Sequence, residues 1–317
     1  LIHSISFFSC ANGLTGFFAL KNCFIKYKVV YLLHQSMTIM KKQEFLDILE
    51  EHKRLGFQEM IDYDKFYLYS LVTHSTAIEG STMTEVENQL LFDEGLYAKG
   101  KSIIEQNMNL DLKAAYERSM EMAREHTPFS IDMLKELSSI VMRRTGGIFN
   151  APGGVFDSSK GDLRRVNVTA GTMGKSYMSY LKVPQKLEDF CKEMNEKREQ
   201  LLKNPDVYEQ YRLSFDAHLK LVTIHPWVDG NGRMSRLIMN HLQNEFGLVP
   251  NKVLKEDKTE YINALVKSRE EESNTPFQNF MFREHAKNLQ QEIENYNLSM
   301  EDEEEEEEQK PRRHFRR

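Results

Sequence analysis

Apolar residues recur every three or four positions along most of the chain between residues 40 and 295, a spacing typical of helices that bury one face. One such series runs through Ile131, Leu134, Leu137 and Val141. Further helices are predicted near residues 40–53, 59–78, 84–97, 105–125, 187–194, 207–222, 232–246, 257–272 and 276–295. Glycines and prolines fall between these stretches and separate the helices. The pattern predicts an all-α fold.

One interval departs from the helical spacing. From Arg165 to Val183 the chain alternates Val166 and Val168 with polar residues, then passes through the glycines of residues 171–174. Alternation on both sides of a glycine-containing turn is typical of a β-hairpin. The predicted fold is therefore all-α with one inserted β-hairpin.

The two ends have unusual compositions. Residues 1–36 contain no Asp or Glu, and lysines interrupt their apolar run, which matches neither a secretory signal nor a spanning helix. We expect a non-native or over-extended segment, with initiation at Met37 or Met40, and disfavour a membrane anchor. Residues 296–317 join an acidic run to an arginine-rich end, a composition typical of a disordered charged tail.

The overall charge argues against nucleic acid as a partner. The 317 residues include 42 Lys and Arg against 48 Asp and Glu, giving a net charge of −6, whereas nucleic-acid binding favours a basic surface. The cysteines Cys10, Cys23 and Cys191 form no metal or disulfide pattern, which fits a reducing cytoplasm. We expect a cytoplasmic protein without a membrane partner; Met- and Tyr-rich faces leave a homodimer open.

The densest chemistry lies in residues 225–236, which read HPWVDGNGRMSR. Gly230 and Gly232 predict a turn whose backbone N–H groups converge on an anion, at the positive end of the next helix. Arg233 and Arg236 are three residues apart on that helix, so both are expected to face the same site. Together these residues predict a phosphate-binding site.

Two further side chains on this loop suit phosphoryl or nucleotidyl transfer. His225 ends a predicted helix before Pro226 and titrates near neutral pH, as a base that accepts a hydroxyl proton must. Asp229 suits Mg²⁺, which prefers one or two carboxylates together with phosphate and water. Each feature alone is common, but their combination at one loop-to-helix junction predicts a catalytic site.

This stretch resembles the signature of the Fic (filamentation induced by cAMP) family, His-Pro-Phe-x-(Asp/Glu)-Gly-Asn-Gly-Arg-x-x-Arg, with Trp227 in place of the usual Phe. The resemblance covers about residues 60–285. It implies a helical Fic fold and transfer of AMP from ATP to a Ser, Thr or Tyr hydroxyl of a target protein and of the chain itself. It implies His225 as the base and Asp229 as the Mg²⁺ ligand. The implied phosphate ligands are Gly230, Asn231, Gly232, Arg233 and Arg236.

The family resemblance also implies regulation and a target-binding hairpin. Ser75 and Glu79 match an inhibitory motif, (Ser/Thr)-x-x-x-Glu-(Gly/Asn), in which Glu79 would pair with Arg236 and misplace ATP. The hairpin at 165–183 would be the flap that binds an extended target segment, with Val168, Thr169, Ala170 and Gly171 nearest the nucleotide. The implied domains are an N-terminal helical region with the inhibitory motif at 37–104 and a Fic catalytic domain at 105–295.

Two other functions remain open from the sequence. The same site would remove AMP from a modified protein if Glu79 orients a water molecule instead of blocking ATP. Alternatively, the chain is a non-catalytic nucleotide-sensing module, which His225 disfavours because phosphate binding does not require it. The family commonly has Asn in the adenine pocket where this chain has Arg269, so base selectivity also stays open.

Overall fold

The computed structural model describes residues 40–60, 62–169 and 176–309. Contacts divide the chain into Leu1–Lys41 and Lys42–Arg317, and almost all of the first unit lies outside the described residues. The expectations for residues 1–36, for Ala170 and Gly171, and for residues 310–317 therefore fall outside the description.

Ten α-helices make up most of the described residues, which confirms the all-α prediction. Capping boxes at Thr84 and Ser102 begin α3 and α4, because each side chain accepts from the third helical N–H while a Glu bonds back. The helices are α1 Lys42–Arg54, α2 Tyr63–Ile78, α3 Glu85–Glu94, α4 Ile103–Arg124, α5 Ile131–Val141, α6 Val183–Lys203, α7 Val207–Ile224, α8 Asn231–Glu245, α9 Lys258–Glu270 and α10 Thr275–Gln309.

A small hairpin is present, but its strands lie earlier in the chain than the sequence predicts. Strands β1 Ile148–Ala151 and β2 Gly154–Asp157 pair antiparallel, with Phe149 opposite Phe156. The two rings stack at 5.3 Å, and Phe156 is buried. Pro152 and Gly153, which lie between two of the predicted helices, form the hairpin turn.

The predicted hairpin at 165–183 has a single antiparallel bridge among its described residues, between Thr169 and Ser176. Next to it, the backbone N–H of Tyr177 donates to the carbonyl of Val168 at 3.0 Å. The two arms therefore approach each other as a hairpin does, without forming strands in the described residues. We call residues 165–169 and 176–183 the flap arms.

Helix α8 lies at the centre of the core, packed against α7 and α4. Its apolar residues are almost completely buried: Met234, Leu237, Ile238, Met239 and Leu242. Because the first turn of α8 is already inside the core, the polar side chains that begin it are buried as well. The loop before α8 therefore leads directly into a buried, well-packed helix.

The last helix continues to Gln309, beyond residue 295, where the sequence predicts its end. Among the described residues no helix combines the length and apolar character needed to cross a bilayer.

Candidate active site between α7 and α8

His225 is placed by the end of α7. The helix stops at Ile224 because Pro226 cannot continue it, and His225 adopts the left-handed conformation with φ of 53°. Its N–H still donates to the carbonyl of Leu221 at 3.0 Å. Positive φ is uncommon outside glycine and occurs often at functional sites, so this backbone is consistent with the predicted role.

The imidazole of His225 is half-buried, and its surroundings keep it neutral. Burial lowers its pKa to about 4; the carbonyl of Val222 opposes this shift, while the charges of Arg164 and Arg269 add to it. Nδ1 lies 3.3 Å from the carbonyl of Val222, so donation there leaves a lone pair on Nε2. At neutral pH the ring can therefore accept a proton through Nε2.

The loop that follows is braced by Trp227 and Asn231. The indole is fully buried and donates to the carbonyl of Gly161 at 3.2 Å. Oδ1 of Asn231 accepts from the N–H of Trp227 at 3.0 Å, and Nδ2 donates to its carbonyl at 2.9 Å. Asn231 was expected to bind phosphate. Its side chain instead bonds the backbone of Trp227, so only its backbone N–H is available to a phosphate group.

At both predicted turn glycines, Gly230 and Gly232, a neighbouring side chain lies so close that a Cβ would not fit. Gly230 has φ of 79°, and a Cβ there would lie 2.9 Å from Sδ of Met142. A Cβ on Gly232 would lie 2.3 Å from Oε1 of Glu79. A carboxylate therefore already rests against the turn that begins α8, where backbone N–H groups and the helix dipole favour an anion.

Arg233 is a buried cation with weak partners. Its side chain is 3% exposed, and Nη2 lies 3.3 Å from Sδ of Met142 and 3.6 Å from Oδ2 of Asp229. Among the described residues its Nε has no hydrogen-bond partner, and burial lowers its pKa. Such a guanidinium is suited to binding a further anion.

Arg236 is held by Ser75 and Glu79, the two residues that the sequence assigns to a candidate inhibitory motif. Nε donates to Oγ of Ser75 at 2.8 Å, and Nη2 donates to the carbonyl of Ser75 at 2.9 Å and to Oε1 of Glu79 at 2.5 Å. On the other side, Nη1 donates to the hydroxyl of Tyr261 at 3.3 Å. The ion pair with Glu79 is single rather than bidentate, because Ser75 takes the remaining donors on that side.

Glu79 keeps its negative charge in this setting. Burial raises the pKa of its carboxyl, but Arg236, through charge and hydrogen bond, and then Arg233 and Lys258 lower it below the usual value. The side chain is still 34% exposed. Both signature arginines thus act on the same carboxylate, so they face one site.

Arg164 joins the flap arms to the loop between α7 and α8. Its side chain is buried, and all three nitrogens donate to backbone carbonyls: Nε to His225 at 2.7 Å, Nη1 to Val166 at 2.8 Å and Nη2 to Met178 at 2.7 Å. Its own N–H donates to the carbonyl of Pro226 at 3.0 Å. Sequence reasoning missed this residue, because no motif marks an arginine that binds carbonyls.

Tyr177, also missed, lies against the candidate base. Its ring stacks on that of His225 with centroids 3.8 Å apart and planes 15° apart. The guanidinium of Arg269 lies 4.7 Å from the same tyrosine ring and donates to the carbonyl of Ser176 at 2.6 Å. Arg269 stands where the family commonly has an Asn in the adenine pocket. In this structure it contacts the second flap arm.

The predicted metal site has one carboxylate. Asp229 has a side chain that is 66% exposed, and its Oδ1 accepts from the N–H of Gly230 at 2.6 Å. No group of three or more acidic, His or Cys side chains among the described residues is arranged to hold a metal. Asp229 is therefore the carboxylate that this loop presents toward solvent.

Comparisons with known proteins agree with this architecture. Residues 128–243 match the Fic/DOC family. The chain is 28% identical over 204 residues to protein adenylyltransferase fic-1 of Caenorhabditis elegans, covering 64% of this chain and 36% of that protein. It is 29% identical over 232 residues to protein adenylyltransferase Fic of Nematostella vectensis, covering 70% and 50%. The chain thus spans about a third to a half of these relatives.

Solved structures share the fold at lower identity. A Fic domain containing signaling protein from Bacteroides thetaiotaomicron aligns with a TM-score of 0.65 at 21% identity, covering 78% of this chain and 95% of that one. Fic-1 from C. elegans aligns with a TM-score of 0.63 at 21% identity, covering 90% and 79%. The matched region, the signature loop and the helical fold agree with one another, so residues 128–243 form a Fic/DOC domain.

Proposed function

We propose that the protein transfers AMP from ATP to a hydroxyl group of a target protein. One observation carries the proposal: the carboxylate of Glu79 contacts Gly232 and Arg236, which marks an anion position at the start of α8, the helix that follows the loop of His225. A phosphate group has the charge and the acceptor oxygens to take the same position. Relatives named protein adenylyltransferase support this choice of reaction.

The proposed step needs little covalent chemistry from the protein. Nε2 of His225 accepts the proton of the target hydroxyl, whose oxygen attacks the α-phosphorus. The bond from that phosphorus to the bridging oxygen of the β-phosphate breaks, and pyrophosphate leaves. Backbone N–H groups at Gly230 and Gly232, together with Arg233 and Arg236, stabilise the phosphate charges.

Mg²⁺ fits this reaction as a partner of the nucleotide. Asp229 would hold the ion together with phosphate oxygens, and the ion would neutralise part of the triphosphate charge. The side chain of Asp229 is exposed to solvent, so it is accessible to a Mg²⁺ ion that arrives bound to ATP.

Glu79 makes the described conformation an inhibited one. It occupies a donor of Arg236 and rests on Gly232, so a phosphate group has to displace it. Because its pKa is below the usual value, protonation does not release it at neutral pH. We therefore infer that ATP binds weakly or in an unproductive pose until the Glu79 contact opens.

The flap arms are the proposed place for the target. The bridge between Thr169 and Ser176 and the bond from Tyr177 to Val168 align extended backbone near His225. A target segment pairing there would be recognised through its backbone, with little dependence on its sequence. Val168 and Thr169 would lie between the target and the nucleotide.

We also propose a reducing, cytoplasmic setting. Cys191, the cysteine within the described residues, is an unpaired buried thiol. Burial raises its pKa to about 12, so the thiol stays protonated at neutral pH.

Labelled ATP tests the proposed function. The protein is incubated with α-labelled ATP and Mg²⁺ as wild type, as Glu79→Gly and as Glu79→Gly with His225→Ala. We expect weak self-labelling of the wild type, strong labelling of Glu79→Gly and none without His225. Labelling from γ-labelled ATP alone would replace the proposal with kinase chemistry. Release of AMP from a modified target, without any transfer, would favour the de-adenylylation alternative.

A further inference from the structure

We propose that Tyr177 is a positioning residue for the candidate base, fixing the plane of the His225 imidazole, and that Arg269 holds Tyr177 in place. This inference rests on the proposed function, in which His225 accepts the hydroxyl proton. The three side chains come from the second flap arm, the end of α7 and the end of α9.

The imidazole needs such support because its own hydrogen bond is long. The distance from Nδ1 to the carbonyl of Val222 is 3.3 Å, near the limit for a hydrogen bond. The parallel ring of Tyr177, 3.8 Å away, covers one face of the imidazole and opposes rotation about its side-chain torsion. The ring edge that carries Nε2 is not the surface used in stacking, so the lone pair stays available.

Tyr177 is itself fixed from three sides. Its N–H donates to the carbonyl of Val168 on the opposite flap arm at 3.0 Å. Arg269 lies 4.7 Å from its ring and donates to the carbonyl of the preceding Ser176 at 2.6 Å. The carbonyl of the following Met178 accepts from Arg164 at 2.7 Å.

Arg164 also connects Tyr177 to His225. Arg164 donates to the carbonyl of Met178 and to that of His225, so one buried guanidinium sets the spacing between the two backbones that carry the stacked rings. The stack is therefore supported by the buried side chain of Arg164, by the backbone hydrogen bond from Tyr177 to Val168 and by the guanidinium of Arg269 over the tyrosine ring. Target pairing on the flap arm and orientation of the base are therefore mechanically linked.

The stack also controls the protonation of His225. Removing the tyrosine ring admits water to the imidazole face, which weakens the burial that lowers its pKa. The charged groups acting on the imidazole remain: Arg164 and Arg269 favour the neutral ring, and Asp229 favours the protonated ring. Loss of the ring should thus move the pKa of His225 upward from about 4.

A titration that does not depend on catalysis tests the proposal. Full-length protein labelled at its 10 histidines is titrated by NMR, and His225→Ala assigns the resonance of His225. For Tyr177→Ala we expect its pKa to rise by about 1 to 2 units, and for Tyr177→Phe, which keeps the ring, we expect less than about 0.3. Tyr180→Ala is the matched control, because Tyr180 lies on the same flap arm but near Gly153. Tyr177→Leu fills more of the space without a planar ring and replaces Tyr177→Ala if that variant folds poorly.

Kinetics in the Glu79→Gly background supply the second readout. Tyr177→Ala should lower kcat by roughly 10- to 100-fold without raising KM for ATP, and Tyr177→Phe should restore kcat. Equal pKa values of His225 in wild type, Tyr177→Ala and Tyr177→Leu would overturn the proposal, as would a Phe variant as slow as the Ala variant. If no variant transfers AMP but the titration shifts as expected, the proposed function fails while the positioning role stands.

Discussion

The carboxylate of Glu79 rests on Gly232, so closely that a Cβ at position 232 would lie 2.3 Å from Oε1. Glu79 ends α2, whereas Gly232 lies in the first turn of α8, and Arg236 on the same helix bonds the same oxygen. An acidic side chain from one helix thereby satisfies the positive end of another. A nucleotide phosphate needs that position, and the first prediction follows from this competition.

Replacing Glu79 with Gly should strengthen ATP binding by roughly 10-fold, because the phosphate no longer competes with a carboxylate at the α8 N-terminus. Calorimetry with ATP and Mg²⁺ measures this, with His225→Ala in both proteins to prevent turnover. Glu125→Gly is the matched control, since Glu125 occupies the corresponding position at the end of α4. Unchanged affinity in Glu79→Gly would remove the competitive account of inhibition.

The pH dependence of AMP transfer should reflect the lowered pKa of His225. Burial lowers the pKa of His225 to about 4, and the base works only when deprotonated. Activity is therefore retained as pH falls from 8 to about 6 and is lost as pH falls through the region near 4. The profile of kcat/KM is measured in Glu79→Gly, which removes the titration of Glu79. An acid limb centred near the ordinary histidine value of about 6.5 would contradict the expected shielding of the ring.

The helices were predictable from the sequence, whereas two of the contacts around the base were not. Each helix has a local apolar period, and the signature loop gathers its chemistry within a few residues, so local information is sufficient. Arg164 and Tyr177 become informative only when the flap arms meet the end of α7, because their partners are backbone carbonyls and a ring face. The hairpin of β1 and β2 was missed for a related reason: its four-residue strands are too short for a clear alternation, and the stacking of Phe149 on Phe156 becomes visible only once the strands pair.

Arg164→Met should lower both stability and activity. It leaves the carbonyls of His225, Val166 and Met178 without the donor they now share. An unpaired carbonyl costs up to about 1–3 kcal/mol when it is buried and less when water reaches it. We expect a total loss of about 2–4 kcal/mol in the free energy of unfolding, measured by urea denaturation. We also expect a higher KM for the target, since the flap arms lose their tie to the loop. The neighbouring Arg165 is exposed, and Arg165→Met should change neither quantity; equal effects of the two substitutions would refute the clamp.

Trp227→Phe, which restores the residue usual in the family signature, should cost stability more than catalysis. The fully buried indole fills the space behind the loop and donates to the carbonyl of Gly161 at 3.2 Å, so the smaller ring leaves a cavity and an unpaired acceptor. We expect a loss of about 1–3 kcal/mol in the free energy of unfolding and kcat/KM within a few-fold of the parent. Asn231→Ala should lower kcat/KM as well as stability, because its side chain closes the loop on the N–H and the carbonyl of Trp227 and so sets the position of His225 and the turn. Thermal denaturation and AMP transfer on both variants separate the two roles, and a Trp227→Phe protein as inactive as Asn231→Ala would mean that the indole itself positions the loop.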